Sequence, residues 1–268
     1  MGALRLLLQH WRLFGGVILV HTVLTIVFVQ GFSATGNLDS TKAAMEETAS
    51  GTLDQLLNNV VLFTYLAGSS NSTTSDVAGA YQLFLGVITS LALIWALRQL
   101  YADKQIRIRD AFYRGMYPLI PFLAVLGVVV LQLVPVVVGG FLYSLVSSAT
   151  VGLSGIEVTL WALVFGLTVL MSLYMLCSSL FALYIVCLPD MAPLQALRSA
   201  RELVRYRRWE IIRKLLFLPL ALLVCGAAVT IPAIFISTAL AGILFFVFNM
   251  IGLAVIHSYM YRLYRELL

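Results

Sequence analysis

Gly152-Leu153-Ser154-Gly155 is the tetrapeptide of this chain whose residue types best suit covalent chemistry. A serine followed by glycine at the mouth of an apolar run offers an accessible hydroxyl. To act as a nucleophile it needs a base, usually histidine, within hydrogen-bond reach. His21 and His257 both fall inside apolar runs, and Glu157 follows the tetrapeptide by two residues. Gln30, Gln132 and Asn249 are further polar groups in or near such runs. An ionisable side chain within a hydrophobic span is a functional hypothesis by default. Glu157 also has a plain explanation, because a carboxylate in a first helical turn is favoured by the helix dipole. Isolated Gln, Asn and His more often hydrogen-bond between helices than line a path. No phosphate-binding Gly-x-x-x-x-Gly-Lys-Ser/Thr loop and no His-Glu-x-x-His pair occurs. Cys177, Cys187 and Cys225 lack metal-ligand spacing, so neither a metal nor another cofactor is expected.

The tetrapeptide resembles the Gly-x-Ser-Gly of rhomboid intramembrane proteases, which set their serine near the outer end of the fourth of six spans. That resemblance implies Ser154 as nucleophile and a histidine in the outer part of the sixth span. The sixth apolar run here begins near residue 240 and runs inward, which puts His257 about 25 Å from its outer end. Ser154 sits at the opposite face, so the pair is expected not to close. His21 lies on the first run, and the first outer loop has neither Trp nor Arg, both usual in that family.

These residues are set in a chain that is 61% hydrophobic and 11% charged. Soluble domains are roughly 45–50% apolar and about 25% charged, so an aqueous fold is excluded. Six stretches reach the about 20 apolar residues a spanning helix needs: 13–33, 79–100, 117–138, 155–188, 214–237 and 240–262. The fold class expected is all-α, a polytopic integral membrane protein with six transmembrane helices. The fourth stretch is too long for one perpendicular span and must tilt, kink or project. Pro135, Pro219 and Pro232 mark expected kinks or helix ends. Arg5, His10, Trp11 and Arg12 interrupt the first run, so a cleaved leader is not expected.

Of 17 Lys and Arg residues, all but Lys42 cluster beside alternate ends of these runs. Cytoplasmic loops are enriched in such residues, so both termini are expected inside, with residues 34–78 and 139–153 outside. The apolar middle of the long loop, residues 53–66, suits a helix lying on the membrane. Asn71-Ser72-Thr73 matches a glycosylation sequon, a triplet that often arises by chance. The net charge of +5 is matched to anionic lipid head groups on the cytoplasmic side and not to nucleic acid.

Each inward-to-outward run is preceded by a short basic amphipathic stretch, at 2–13, 103–116 and 190–213. The second and third align: Asp110-Ala111-Phe112-Tyr113-Arg114-Gly115 lies over Gln195-Ala196-Leu197-Arg198-Ser199-Ala200. The single membrane domain, residues 1–268, thus reads as three units near 1–100, 101–189 and 190–268, each an elbow helix plus a two-span hairpin. In the third elbow Asp190 can cap a helix beginning near Met191. Arg198, Arg201, Arg205 and Arg208 then share one stripe at 100° per residue. With Arg107, Arg109 and Arg114 they are candidates for head-group or protein-partner contact, or for fixing topology alone.

The run Leu188-Pro189-Asp190-Met191-Ala192-Pro193-Leu194-Gln195-Ala196-Leu197-Arg198-Ser199-Ala200-Arg201-Glu202-Leu203-Val204, with Trp209 after it, resembles the hallmark of a bacterial six-span family. That family includes YciC-like proteins and the membrane domain of some glycerophosphodiester phosphodiesterases. The resemblance implies the elbow-plus-hairpin plan and a multi-pass place in the bacterial inner membrane. It transfers no phosphodiesterase activity, because the soluble barrel and its acidic and histidine residues are absent. The expectation is a non-enzymatic membrane protein in transport, lipid-linked processes or scaffolding, possessing a protein partner or forming a homo-oligomer. The alternatives are a secondary transporter with a central polar path and, behind it, an intramembrane serine hydrolase.

Overall fold

A computed structural model describes residues 7, 9–29, 76–102, 104–148, 155–189 and 191–268. Among them the regular structure is entirely helical: α1 Trp11–Val29, α2 Asp76–Leu100, α3 Ile108–Gly115, α4 Leu119–Leu131, α5 Val134–Ser148, α6 Gly155–Ile185, α7 Pro193–Val204, α8 Arg208–Ile236 and α9 Thr238–Leu267. Helix is the form in which an apolar run satisfies every backbone group within itself, as hydrocarbon demands. Among the described residues six spans are long and apolar enough to cross a membrane: Trp11–Phe28, Gly79–Leu100, Leu119–Val146, Thr159–Ile185, Arg208–Ile236 and Ala239–Leu267. Down α6, Leu160, Leu163, Leu167, Leu170 and Met171 are all exposed. Apolar stripes of this length face lipid and not water.

The third span differs from expectation. It was to end near residue 138 with an outer loop from 139, yet α5 carries it on to Ser148. Pro135 does not stop the chain because it sits in the first turn of α5, where a missing N–H is tolerated. The helix end expected at Pro135 is found just before it: α4 stops at Leu131, whose carbonyl Pro135 has no N–H to meet, and the span is interrupted at Gln132-Leu133. The fourth span is one unbroken helix of 31 residues, and α8 runs through both Pro219 and Pro232. The third basic stretch also differs. Its helix α7 starts at Pro193 with Ala192 as N-cap and ends at Val204, and a new helix begins at Arg208. Asp190, residues 53–66, Asn71 and Ser154 lie outside the described residues.

Contacts divide the chain into two compact units. The first is Met1–Tyr117 with Phe217–Tyr259, and the second is Pro118–Leu216 with Met260–Leu268. In the first, α3 packs on α1 and α2 through small residues. Ala111 is fully buried against Ala92 and Ala96, with Leu13, Trp95, Ile106 and Phe112 around them. A Cβ on Gly115 would stand 3.0 Å from the Ala92 Cα and 3.2 Å from the Leu91 carbonyl oxygen. Only glycine allows that approach of two backbones.

In the second unit α7 packs on α6 and α4, and buries Ala196, Ala200 and Val204. The aligned pairs Ala111/Gly115 and Ala196/Ala200 are therefore the buried small residues of both short helices. Their i, i+4 spacing puts each pair on one helix face, leaving the basic side chains outward. α5 approaches α6 closely at Gly139, where a Cβ would collide with the Thr168 side chain. Tyr184 of α6 stacks with Tyr264 at 6.5 Å and meets Tyr261 at 6.2 Å.

Candidate polar sites at mid-span

α1, α2 and α9 bring both membrane histidines to consecutive hydroxyls of one helix. His21 Nδ1 lies 2.9 Å from Thr89 Oγ1, and His257 Nε2 lies 2.9 Å from Ser90 Oγ. Each hydroxyl already donates its hydrogen one turn back, Thr89 to the Leu85 carbonyl at 2.9 Å and Ser90 to the Gly86 carbonyl at 2.7 Å. A hydroxyl has a single hydrogen, so with that hydrogen on the backbone carbonyl each ring nitrogen faces it as donor, and donor and acceptor exchange with the ring tautomer. In the donor arrangement His21 carries its proton on Nδ1 and His257 on Nε2. The second ring nitrogen of each is then the acceptor when the ring is neutral. Thr25 Oγ1 donates to the His21 carbonyl at 2.9 Å. His21, Thr25 and Thr89 are buried, as is Ser258 next to His257. Ser258 Oγ finds no hydrogen-bond partner among the described residues.

Thr89 and Ser90 stand at the middle of Gly79–Leu100, and His21 near the middle of Trp11–Phe28. His257 falls one turn before Arg262 in α9. It lies level with Ser90, while α9 continues to Leu267 and carries Arg262 and Glu266 beyond it. Thr89 and Ser90 themselves were missed in the sequence. The available signal was a pair of adjacent hydroxyls in an otherwise apolar span. A 2.9 Å serine–histidine contact is a nucleophile–base distance. However, Ser90 lies within continuous α2, whose N–H groups serve its own backbone ladder.

Gln132 occupies the break of the third span, halfway along Leu119–Val146. Ser172, halfway along Thr159–Ile185, donates to the Gln132 carbonyl at 2.8 Å. Gln132 Oε1 is buried and has no hydrogen-bond partner among the described residues. Glu157 is exposed in the first turn of α6, consistent with the dipole explanation.

The basic candidates do not form one stripe. Arg198 and Arg201 project from α7, and Arg205 follows its last turn. Arg208 opens α8, with its guanidinium 4.3 Å from the Tyr174 ring centre on α6. The cause is the turn at residues 205–207, which breaks the helical phase. Arg107, Arg109, Arg114, Arg198, Arg201 and Arg205 are exposed and form no ion pair among the described residues. Tyr113, Tyr117, Tyr206 and Trp209 are strongly exposed beside them. Basic and amphipathic aromatic side chains together are the composition of a membrane interface. Near the chain end Glu266 pairs with Arg262 at 2.9 Å and with Lys214 at 3.9 Å.

Fold and sites together define a multi-pass, all-helical membrane protein with polar groups held at mid-span. No family model, curated protein or solved structure matches the chain. The described residues contain no cluster of three or more His, Cys, Asp and Glu side chains suited to a metal ion.

Proposed function

We propose that this chain is a non-enzymatic inner-membrane protein that moves a small polar solute or ion along a path between its own helices. The observation carrying this reading is the pair of histidine–hydroxyl contacts at the middle of α2. Ionisable side chains at mid-span are a mark of ion and proton paths, and two of them converge here on one helix. Purified protein reconstituted into liposomes tests it. Entry of protons or of labelled small solutes above that of protein-free liposomes is expected. Tight liposomes across a panel of ions and zwitterions would return the protein to the scaffold class.

The reading includes three elbow-plus-hairpin units with both termini cytoplasmic. The cation distribution supports it, as does the shared burial of Ala111/Gly115 and Ala196/Ala200. The likeness of residues 188–209 to YciC-like six-span proteins supports the same plan, and a bacterial inner membrane with it. A cysteine introduced at position 72 should react with an impermeant maleimide added from outside, and one at position 109 only after the membrane is opened. The reverse pattern would invert the topology.

Anionic phospholipid is the proposed partner of the two short basic helices, since their outward arginines are unpaired among the described residues. Replacing Arg198, Arg201 and Arg205 with Gln should remove up to about 3 kcal/mol of attraction, at about 1 kcal/mol per residue near an anionic surface. Native mass spectrometry should show fewer bound anionic lipids, with the difference shrinking at high salt. Arg208→Gln should instead leave lipid retention nearly intact and lower stability through its lost contact with Tyr174. Loss of a co-purifying protein with lipid retained would make this surface a docking site for a protein partner or second copy.

A further inference from the structure

The interrupted third span has an excess of oxygen acceptors at mid-membrane. Leu133 N–H turns to the Val130 carbonyl at 3.0 Å, so the Val129 carbonyl loses the donor a continuous helix would give it. Pro135 has no N–H for Leu131. Val136 and Val137 N–H both bond the Leu133 carbonyl, at 3.0 and 3.2 Å, so the start of α5 has few donors left. Val129 and Gln132 are three residues apart and share a face of α4. Ser172 of α6 stands against that face through its bond to the Gln132 carbonyl. Its hydrogen is engaged there, which leaves the Ser172 oxygen lone pairs as acceptors. The Gln132 side-chain oxygen is buried and unmet among the described residues.

An acceptor-rich end of a half-helix selects positive charge over negative. Unwound carbonyls at helix C-terminal ends are where discontinuous spans coordinate Na⁺. None of Val129 O, Gln132 Oε1 and Ser172 Oγ carries a formal charge. A divalent ion would therefore remain uncompensated in a low dielectric, whereas a hard monovalent ion suits neutral oxygens. We infer that the α4–α5 break, with Ser172 of α6, is a monovalent-cation site of Na⁺ type. Its use to couple transport rests on the function proposed above. Binding of the cation does not.

The experiment measures thermal unfolding of the full-length protein in detergent, in sodium, lithium, potassium or choline chloride at constant ionic strength. Sodium should raise Tm saturably, by about 5 °C at full occupancy relative to choline. Gln132→Leu and Ser172→Ala should each abolish the sodium-specific part of the shift. Gln132→Glu, which keeps the side-chain oxygen, replaces the amide nitrogen with a second oxygen and adds a charge, should bind sodium at least about tenfold more tightly. If Gln132→Leu does not fold, the Ser172→Ala and Gln132→Glu titrations decide the matter. Equal Tm in all four salts overturns the site and means that water meets these acceptors. A sodium shift that survives unchanged in Ser172→Ala and Gln132→Glu overturns this location. Sodium binding without solute flux in liposomes would leave the site standing and remove the transport reading. Sodium-independent flux with no shift would do the opposite.

Discussion

Gly115→Leu should be the most damaging single substitution in the described part of the chain. Its Cβ would stand 3.0 Å from a backbone atom of α2, and the branched side chain beyond it has no flexible neighbour to displace. α3 must then lift from Ala92 and Ala96, uncovering the buried Ala111 seam. Overpacking a tight contact typically costs about 1–3 kcal/mol, and a backbone neighbour puts this case at the upper end. At about 2–4 °C per kcal/mol for a chain of this size, Tm should fall by roughly 6–12 °C. Gly127→Ala is the control. A Cβ there meets nothing within 4 Å, so the change should be neutral or stabilising, because alanine is the better helix former. Fluorescence-detected size exclusion after heating reads both. Equal melting of the two variants would mean that α3 does not rest on α2.

The second large effect is expected at the histidine–hydroxyl contacts. His21→Ala leaves Thr89 without its ring partner, and His257→Ala does the same for Ser90. An unmet buried polar group costs about 1–3 kcal/mol. Interhelical hydrogen bonds in membranes couple more weakly, averaging about 0.6 kcal/mol with a maximum near 1.7. Double-mutant cycles of His21→Ala with Thr89→Val, and of His257→Ala with Ser90→Ala, should therefore give coupling energies in that lower range. Solute flux should respond far more than stability. If the contacts line the path, each histidine variant should lower flux by about tenfold or more, corresponding to about 1.4 kcal/mol. His21→Gln, which keeps a donor and cannot titrate, separates the possible roles. Flux restored by Gln means that hydrogen bonding is the requirement, and flux still absent means that a proton is carried. Unchanged flux in both alanine variants would leave the contacts as structural links between helices.

The span count was readable in the sequence because hydrophobic length is a one-dimensional property. Twenty apolar residues cross hydrocarbon whatever their neighbours are, and six helical spans of that length are found among the described residues. The small pairs Ala111/Gly115 and Ala196/Ala200 were readable for a similar reason. Spacing of four sets a helix face, although the letters do not say what that face meets.

Helix ends were less legible. Pro135 reads equally well as a stop or as a first-turn residue, and only the neighbouring hydrogen bonds decide which. Residues 205–207 turn out of helix although Arg198 to Arg208 keep the phase of one. The basic stripe was thus a periodicity that the backbone does not maintain.

Side-chain partners across helices were beyond the sequence altogether. His21 and Thr89 are 68 residues apart, and Ser90 and His257 are 167 apart. Nothing along the chain records which helix will lie beside another, because in a bilayer all apolar faces are equally soluble. Composition and spacing determined that the chain crosses a membrane, where its charges cluster and which residues form helix. Helix packing alone decided that two isolated histidines meet consecutive hydroxyls, and that a glutamine in a broken span keeps an oxygen unmet among the described residues. Those contacts depend on three-dimensional adjacency, which hydrophobicity does not encode.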